Sequence, residues 1–176
     1  ARLHEIQAGG RIKLGEFQLE FIRVRHSVVD GVGLAIETPL GTIIHTGDFK
    51  ISHSNRDGMA TDVNRFAMYG QKGTLALLSD STNVEHKGYT VPESEIAESL
   101  AKIAAKSTGR IIVALFASSI NRIKQIVDIA ESLGRKVFFD GRSIATSVQI
   151  AKEMGYIDLP DDIEADVSDI GSYPDD

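Results

Sequence analysis

Val32-Gly33-Leu34-Ala35-Ile36-Glu37-Thr38-Pro39-Leu40-Gly41-Thr42-Ile43-Ile44-His45-Thr46-Gly47-Asp48 contains two apolar runs of strand length. Thr38-Pro39-Leu40-Gly41 separates them, and its Pro and Gly predict a tight turn and hence a hairpin. The second run closes on a histidine, a glycine and a carboxylate, so polar chemistry is expected where the strand stops. Upstream, Phe17, Leu19 and Phe21 alternate with Gln18 and Glu20 ahead of Ile22 and Val24. That period of two predicts a strand with one buried face, the apolar one. Downstream, Thr74-Leu75-Ala76-Leu77-Leu78-Ser79-Asp80 is continuously apolar until its end, as expected of a strand buried on both faces. Ser52 to Gly70 is polar with weak periodicity and predicts a loop carrying one short helix.

The pattern changes after Asn83. Thr90-Val91-Pro92-Glu93 offers an N-cap Thr, an early Pro and a Glu at the third helical position, predicting a helix start with reciprocal capping. Ile96, Leu100, Ile103 and Ala104 then share one face. Arg110 to Leu115 reads as a β-branched strand. Ile120 to Leu133 reads as a helix with Ile123, Val127 and Ala130 inward and Gly134 as its stop. Lys136 to Asp140 reads as the next strand, and Ser143 to Met154 as a helix closed by Gly155. Strand, helix and strand of these lengths predict a βαβ unit with parallel strands. The fold class is therefore α/β, with a sheet domain over residues 1–90 and a small doubly wound domain over residues 91–176, the boundary falling near Tyr89 to Glu95.

The 176 residues suffice for one or two cores. No apolar run approaches the length of a membrane span, and no signal-peptide pattern is present, so an intracellular, cytoplasmic protein is expected. The sequence has no cysteine, which excludes a disulfide scaffold and any thiolate metal site. Any metal ligands must come from His, Asp and Glu. The net charge of -6 is uneven: residues 158–176 hold eight acidic residues and no Lys or Arg, leaving 19 basic against 17 acidic side chains elsewhere. Global acidity therefore does not exclude a nucleic-acid partner. The acidic end itself reads as a solvated loop or tail.

Three strand ends offer chemistry. Arg25-His26-Ser27-Val28-Val29-Asp30-Gly31-Val32-Gly33 places an imidazole just past one strand, with glycines that let backbone approach closely. His45-Thr46-Gly47-Asp48-Phe49-Lys50 places Asp48 where two carboxylate oxygens can bridge two ions. Leu78-Ser79-Asp80-Ser81-Thr82-Asn83 repeats the pattern with Asp80. Each has a plainer alternative: His26 as a hydrogen-bonded structural residue, Asp48 as a turn cap, Asp80 as the head of an Asx-turn. Convergence of His26, Asp48 and Asp80 on one rim would supply metal ligands and a carboxylate to orient them. Farther on, Ser118 and Ser119 precede one helix, and Gly141-Arg142-Ser143 opens the next. Helix N-termini with an added guanidinium suit phosphate, although Ser118 and Ser143 read equally well as helix caps.

Taken together, His26-Ser27-Val28-Val29-Asp30 with Val32-Gly33, His45-Thr46-Gly47-Asp48-Phe49-Lys50, Ser79-Asp80-Ser81-Thr82-Asn83, Gly109-Arg110-Ile111-Ile112-Val113-Ala114 through Phe116-Ala117-Ser118, and Gly141-Arg142-Ser143 resemble, in order and spacing, the ribonuclease J group of β-CASP metallo-β-lactamase nucleases. The resemblance implies a partial metallo-β-lactamase domain over 1–90 and a partial β-CASP domain over 91–176. It implies His26 as a metal ligand, Asp48 as the ligand that bridges two zinc (or manganese) ions, and Asp80 as an organiser of the site. It further implies metal-dependent RNA phosphodiester hydrolysis as a 5′ exoribonuclease and endoribonuclease, RNA processing in the cytoplasm, and a homo-oligomer, dimer or tetramer. Ser118, Ser119, Arg142 and Ser143 would then contact the RNA backbone. Val29, Gly31, Ser119 and Asn121 depart from the residues common in that group. So does the absence of any His-x-His-x-Asp-His string, from which an internal fragment with an incomplete site and little activity of its own is expected. The competing expectations are a non-catalytic RNA-binding module and a different hydrolase of the same superfamily.

Overall fold

The hairpin forms as its turn dictates, in a computed structural model that describes residues 3–51, 60–88, 91–160 and 162–174. Strand β3 (Val32–Thr38) and strand β4 (Gly41–His45) pair antiparallel, with Ala35 opposite Ile44 and Thr38 opposite Gly41. The Thr38 hydroxyl closes the turn by donating to the Gly41 carbonyl at 2.8 Å and accepting from Leu40 N–H at 3.1 Å. Two further antiparallel strands extend the sheet, β1 (Arg11–Leu14) and β2 (Phe17–Arg23), and β5 (Ala76–Leu78) completes the order β1-β2-β3-β4-β5. Strand β1 is too short for periodicity to reveal, although Gly15, at φ +61°, marks the turn that joins it to β2.

β4 and β5 run parallel, with Ile43, Ile44 and His45 opposite Ala76, Leu77 and Leu78. Helix α1 (Val63–Lys72) lies in the connection between them. The parallel crossover expected in the second half of the chain thus occurs in the first. Asp62 caps α1 by accepting from Arg65 N–H at 2.9 Å. Most of the polar loop expected ahead of this helix, residues 52–59, lies outside the described residues. Tyr69, Phe66 and Met68 of α1 pack on Ile22, Ala35 and Ile44, which form the core of this unit.

Two burial expectations fail here for identifiable reasons. On β2, Phe21 is buried as expected, but Glu20 is also buried, at 2% exposed, and Phe17 is 48% exposed. The face carrying Glu20 and Ile22 is the one that receives α1, and helix side chains satisfy the carboxylate. β5 is an edge strand, with Leu77 and Leu78 more than half exposed, rather than a strand covered on both faces.

The chain divides into two compact units, residues 1–89 and 90–176. The second contains helices α2 (Glu93–Lys106), α3 (Ile120–Ser132) and α4 (Arg142–Glu153), and a 3-10 turn at Val167–Ser172. α2 begins at Glu93 with Pro92 at the N-cap position and no side-chain cap. Pro92 has no N–H and an extended ψ, so it precedes the helix rather than sitting inside it; Thr90 is outside the described residues. On α2 Ile103 is 61% exposed and no residue is buried, so its apolar stripe is only partly covered. Ile120, Ile123 and Val127 of α3 are buried as their spacing requires. Gly134, at φ +64°, ends that helix, with the Gly134 and Arg135 N–H groups donating to Glu131 and Ala130 carbonyls at 3.0 and 2.9 Å.

The α/β class holds for the chain as a whole, but Arg110–Leu115 and Lys136–Asp140 do not form a ladder with one another. A strand requires a second extended segment beside it, and among the described residues only Val137 finds one, as an isolated parallel bridge to Glu164. Ile112 is correspondingly 95% exposed. In the described part of the acidic end the carboxylates are exposed but the segment packs through its other groups: Leu159 and Ile163 are buried, the Arg110 guanidinium donates to the Ile170 and Tyr173 carbonyls at 3.2 and 3.1 Å, and the Phe138 and Tyr173 rings meet edge to face at 5.3 Å. Charge counting missed the apolar residues spaced between the carboxylates.

Candidate functional site

Strand direction places the three chemical motifs. β2 is antiparallel to β3, β3 to β4, and β4 is parallel to β5. The carboxyl ends of β2, β4 and β5 therefore lie at the same rim, and from them emerge the segments bearing His26, Asp48 and Asp80. Edges where parallel strands end are where α/β sheets commonly hold ligands.

Hydrogen bonds fasten the three segments together. Lys50 N–H donates to the Arg25 carbonyl at 2.7 Å in an isolated antiparallel bridge, joining the His26 and Asp48 loops. The buried Thr46 hydroxyl accepts from Asp80 N–H at 2.9 Å and donates to the Gly47 carbonyl at 2.8 Å, while Thr46 N–H donates to the Leu78 carbonyl at 3.0 Å. Gly47 turns the chain at φ +60°, where a Cβ would stand 2.8 Å from the Val32 carbonyl oxygen. Gly33 is as constrained: a Cβ there would meet the Thr46 and His45 carbonyl oxygens at 2.7 and 2.9 Å. These are the close backbone approaches that glycine permits.

Asp80 heads an Asx-turn, accepting from the Thr82 backbone N–H at 2.9 Å and from the Thr82 hydroxyl at 2.7 Å. Those bonds, first the hydroxyl, hold its carboxyl below the usual range, with smaller contributions from the Phe49 N–H and the charge of His26. The Asx-turn alternative is therefore correct for Asp80, and the same carboxylate also senses both neighbouring loops. His26 is half-buried, its Nδ1 paired with the Ser27 hydroxyl at 3.3 Å, and Asp48 is exposed. His45 keeps Nδ1 as an acceptor for Gly47 N–H at 3.0 Å, which makes it part of the turn.

A four-coordinate ion requires at least three protein ligands. Among the described residues no group of three or more His, Asp or Glu is placed to hold a metal ion. The donors at the rim suit zinc or manganese in type, but they do not by themselves fit a complete centre.

In the second unit, Ser119 occupies the N-cap of α3 and Gly141 that of α4, and neither position makes a side-chain cap bond. Ser118 is exposed, and Arg142 and Ser143 are exposed in the first turn of α4. Ser118 and Ser143 are thus not the N-caps, and the first-turn N–H groups of both helices are without a side-chain cap.

Residues 108–176 match the model of the ribonuclease J β-CASP domain. Across nearly the whole chain, sequence identity to ribonuclease J is 43% over 164 residues for Helicobacter pylori strain J99, covering 93% of this chain and 24% of that protein. By sequence the chain is similar to ribonuclease J. Ribonuclease J of Thermus thermophilus is 42% identical over 160 residues, covering 90% of this chain and 28% of the relative. Ribonuclease J 2 of Staphylococcus aureus NCTC 8325 is 37% identical over 173 residues, covering 98% and 31%. The chain therefore spans about a quarter to a third of the length of these ribonuclease J relatives. A crystal structure of a protein of unknown function from Enterococcus faecalis V583 shares the fold, with a TM-score of 0.65 at 16% identity over 99% of this chain and 44% of that one. Within the ribonuclease J likeness, sequence reasoning missed Thr61 and the buried Glu20 cluster; both lie outside any catalytic motif, and only the tertiary structure reveals their partners.

Proposed function

We propose that the whole protein hydrolyses RNA phosphodiesters with the help of zinc or manganese, as a 5′ exoribonuclease and endoribonuclease. His26 and Asp48 would be two of the metal ligands, and Asp80 would organise the rim. The observation that carries this is the common rim of three strand ends, with Asp80 sensing both His26 and the Asp48 loop. Likeness to ribonuclease J supports RNA as the substrate. Ser118, Ser119, Arg142 and Ser143 are proposed to contact RNA phosphates, using the positive ends of the two helices and the Arg142 guanidinium. A cytoplasmic location and a homo-oligomer, dimer or tetramer, belong to the same proposal. Among the described residues no helix is long and apolar enough to cross a membrane.

Among the described residues the rim supplies too few ligands for a closed site, so this chain is proposed to bind metal weakly and to cleave RNA poorly. Calorimetric titration with zinc, beside a ribonuclease assay on the same sample, tests both parts. Weak binding without cleavage is expected; tight stoichiometric binding with robust cleavage would contradict it. The alternative of a non-catalytic RNA-binding module predicts RNA affinity that does not respond to substitution of His26 or Asp48 in the full-length protein, with no cleavage to lose.

A further inference from the structure

Thr61 precedes α1 and belongs to none of the motifs at the rim. Its side chain is 9% exposed, and its hydroxyl is used twice: it accepts from Arg25 N–H at 2.9 Å and donates to the Lys50 carbonyl at 2.7 Å. Together with the Lys50 N–H bond to the Arg25 carbonyl, this ties the backbone next to His26 to the backbone two residues after Asp48 at three points. Asp62 N–H, the next along, donates to the Arg23 carbonyl at 3.0 Å, so the start of α1 is itself pinned to the end of β2. A side chain that only filled space here would have no need of a hydroxyl with both its donor and its acceptor engaged. Valine has nearly the same shape and would leave the Arg25 N–H and the Lys50 carbonyl without this partner, in a part-buried setting.

We infer that Thr61 is a positioning residue for the candidate site: its hydroxyl sets the spacing between the loops bearing His26 and Asp48. This rests on the proposed roles of those two residues, yet the two ideas fail separately. Thr61 acts through its bonds to the two loops.

Three variants of this chain decide it: Thr61→Val, Thr61→Ser, and Ile44→Val, which loosens the core of the same unit without touching either loop. Amide hydrogen exchange reads the fastening, and the zinc-induced shift of the His26 ring signals reads the site. Exchange at Arg25, whose N–H loses its acceptor, is expected to rise by about ten-fold in Thr61→Val relative to Ile44→Val, the size of one hydrogen bond lost, and exchange at Lys50, whose N–H bonds the Arg25 carbonyl, is expected to rise with it. The zinc concentration for half-maximal His26 response is expected to rise several-fold in Thr61→Val, while Thr61→Ser stays close to the parent chain on both measures. Thr61→Val matching Ile44→Val at those amides, or an unchanged His26 response despite faster exchange, would overturn the positioning role. No His26 response to zinc in the parent chain would overturn the ligand assignment instead, leaving the amides to judge the fastening.

Discussion

A carboxylate in the middle of a strand and 2% exposed is tolerated only because its oxygens are met. Glu20 accepts from both arms of the Arg65 guanidinium, from Arg11 Nε at 2.8 Å and from the Tyr69 hydroxyl at 2.8 Å. Arg65 hydrogen bonding, opposed by burial and aided by Tyr69 and Arg11, lowers its carboxyl to about 2. Because the folded value is depressed, the group contributes stability that is complete above the unfolded value near 4.5 and is lost as pH falls toward about 2. Thermal unfolding of the parent chain between pH 5 and about 2 should therefore fall more steeply than that of Glu20→Gln, which has no such titration. Glu20→Ala, leaving Arg65 half-buried without its partner, is expected to cost about 3–5 kcal/mol by denaturant unfolding. None of this was legible in the sequence. Alternation along β2 marks Glu20 as outward, and only the arrival of α1, with Arg65 and Tyr69 four residues apart on one face, reverses that assignment.

At the scale of elements, the parts that were legible are those whose residues constrain the backbone directly. Thr38-Pro39-Leu40-Gly41 specified the hairpin, and Gly134 specified the end of α3, because turn chemistry acts locally. The strands expected at Arg110–Leu115 and Lys136–Asp140 were not recoverable in this way, since β-branched residues favour an extended backbone but cannot supply its neighbour. The rim was readable as three motifs, but their convergence depends on strand direction, which a sequence period does not encode. Gly33 sits where β3 passes under the Thr46 turn, so Gly33→Ala should force backbone apart there and lower the unfolding free energy by about 1–3 kcal/mol. A melting curve unchanged from the parent would show that the close approach is not a constraint. In the second unit, Arg142→Ala should weaken RNA binding several-fold and reduce the salt slope by about 1, as loss of one phosphate contact does. An unchanged slope would remove Arg142 from the proposed interface.

For the molecule as a whole, the proposed activity depends on whether the carboxyl ends of β2, β4 and β5 present a shared cation-attracting rim. The acidic stretch at 158–176 offers a rival location for a divalent ion in a different unit, where the described carboxylates Asp158, Asp162, Glu164, Asp166 and Asp169 are exposed. Isotope-labelled chain titrated with substoichiometric manganese separates the two, because paramagnetic broadening falls steeply with distance from the bound ion. The rim predicts selective loss of the signals of residues 26, 48 and 80 and their immediate neighbours. Broadening confined to residues 158–176, with those three positions sharp, would contradict it.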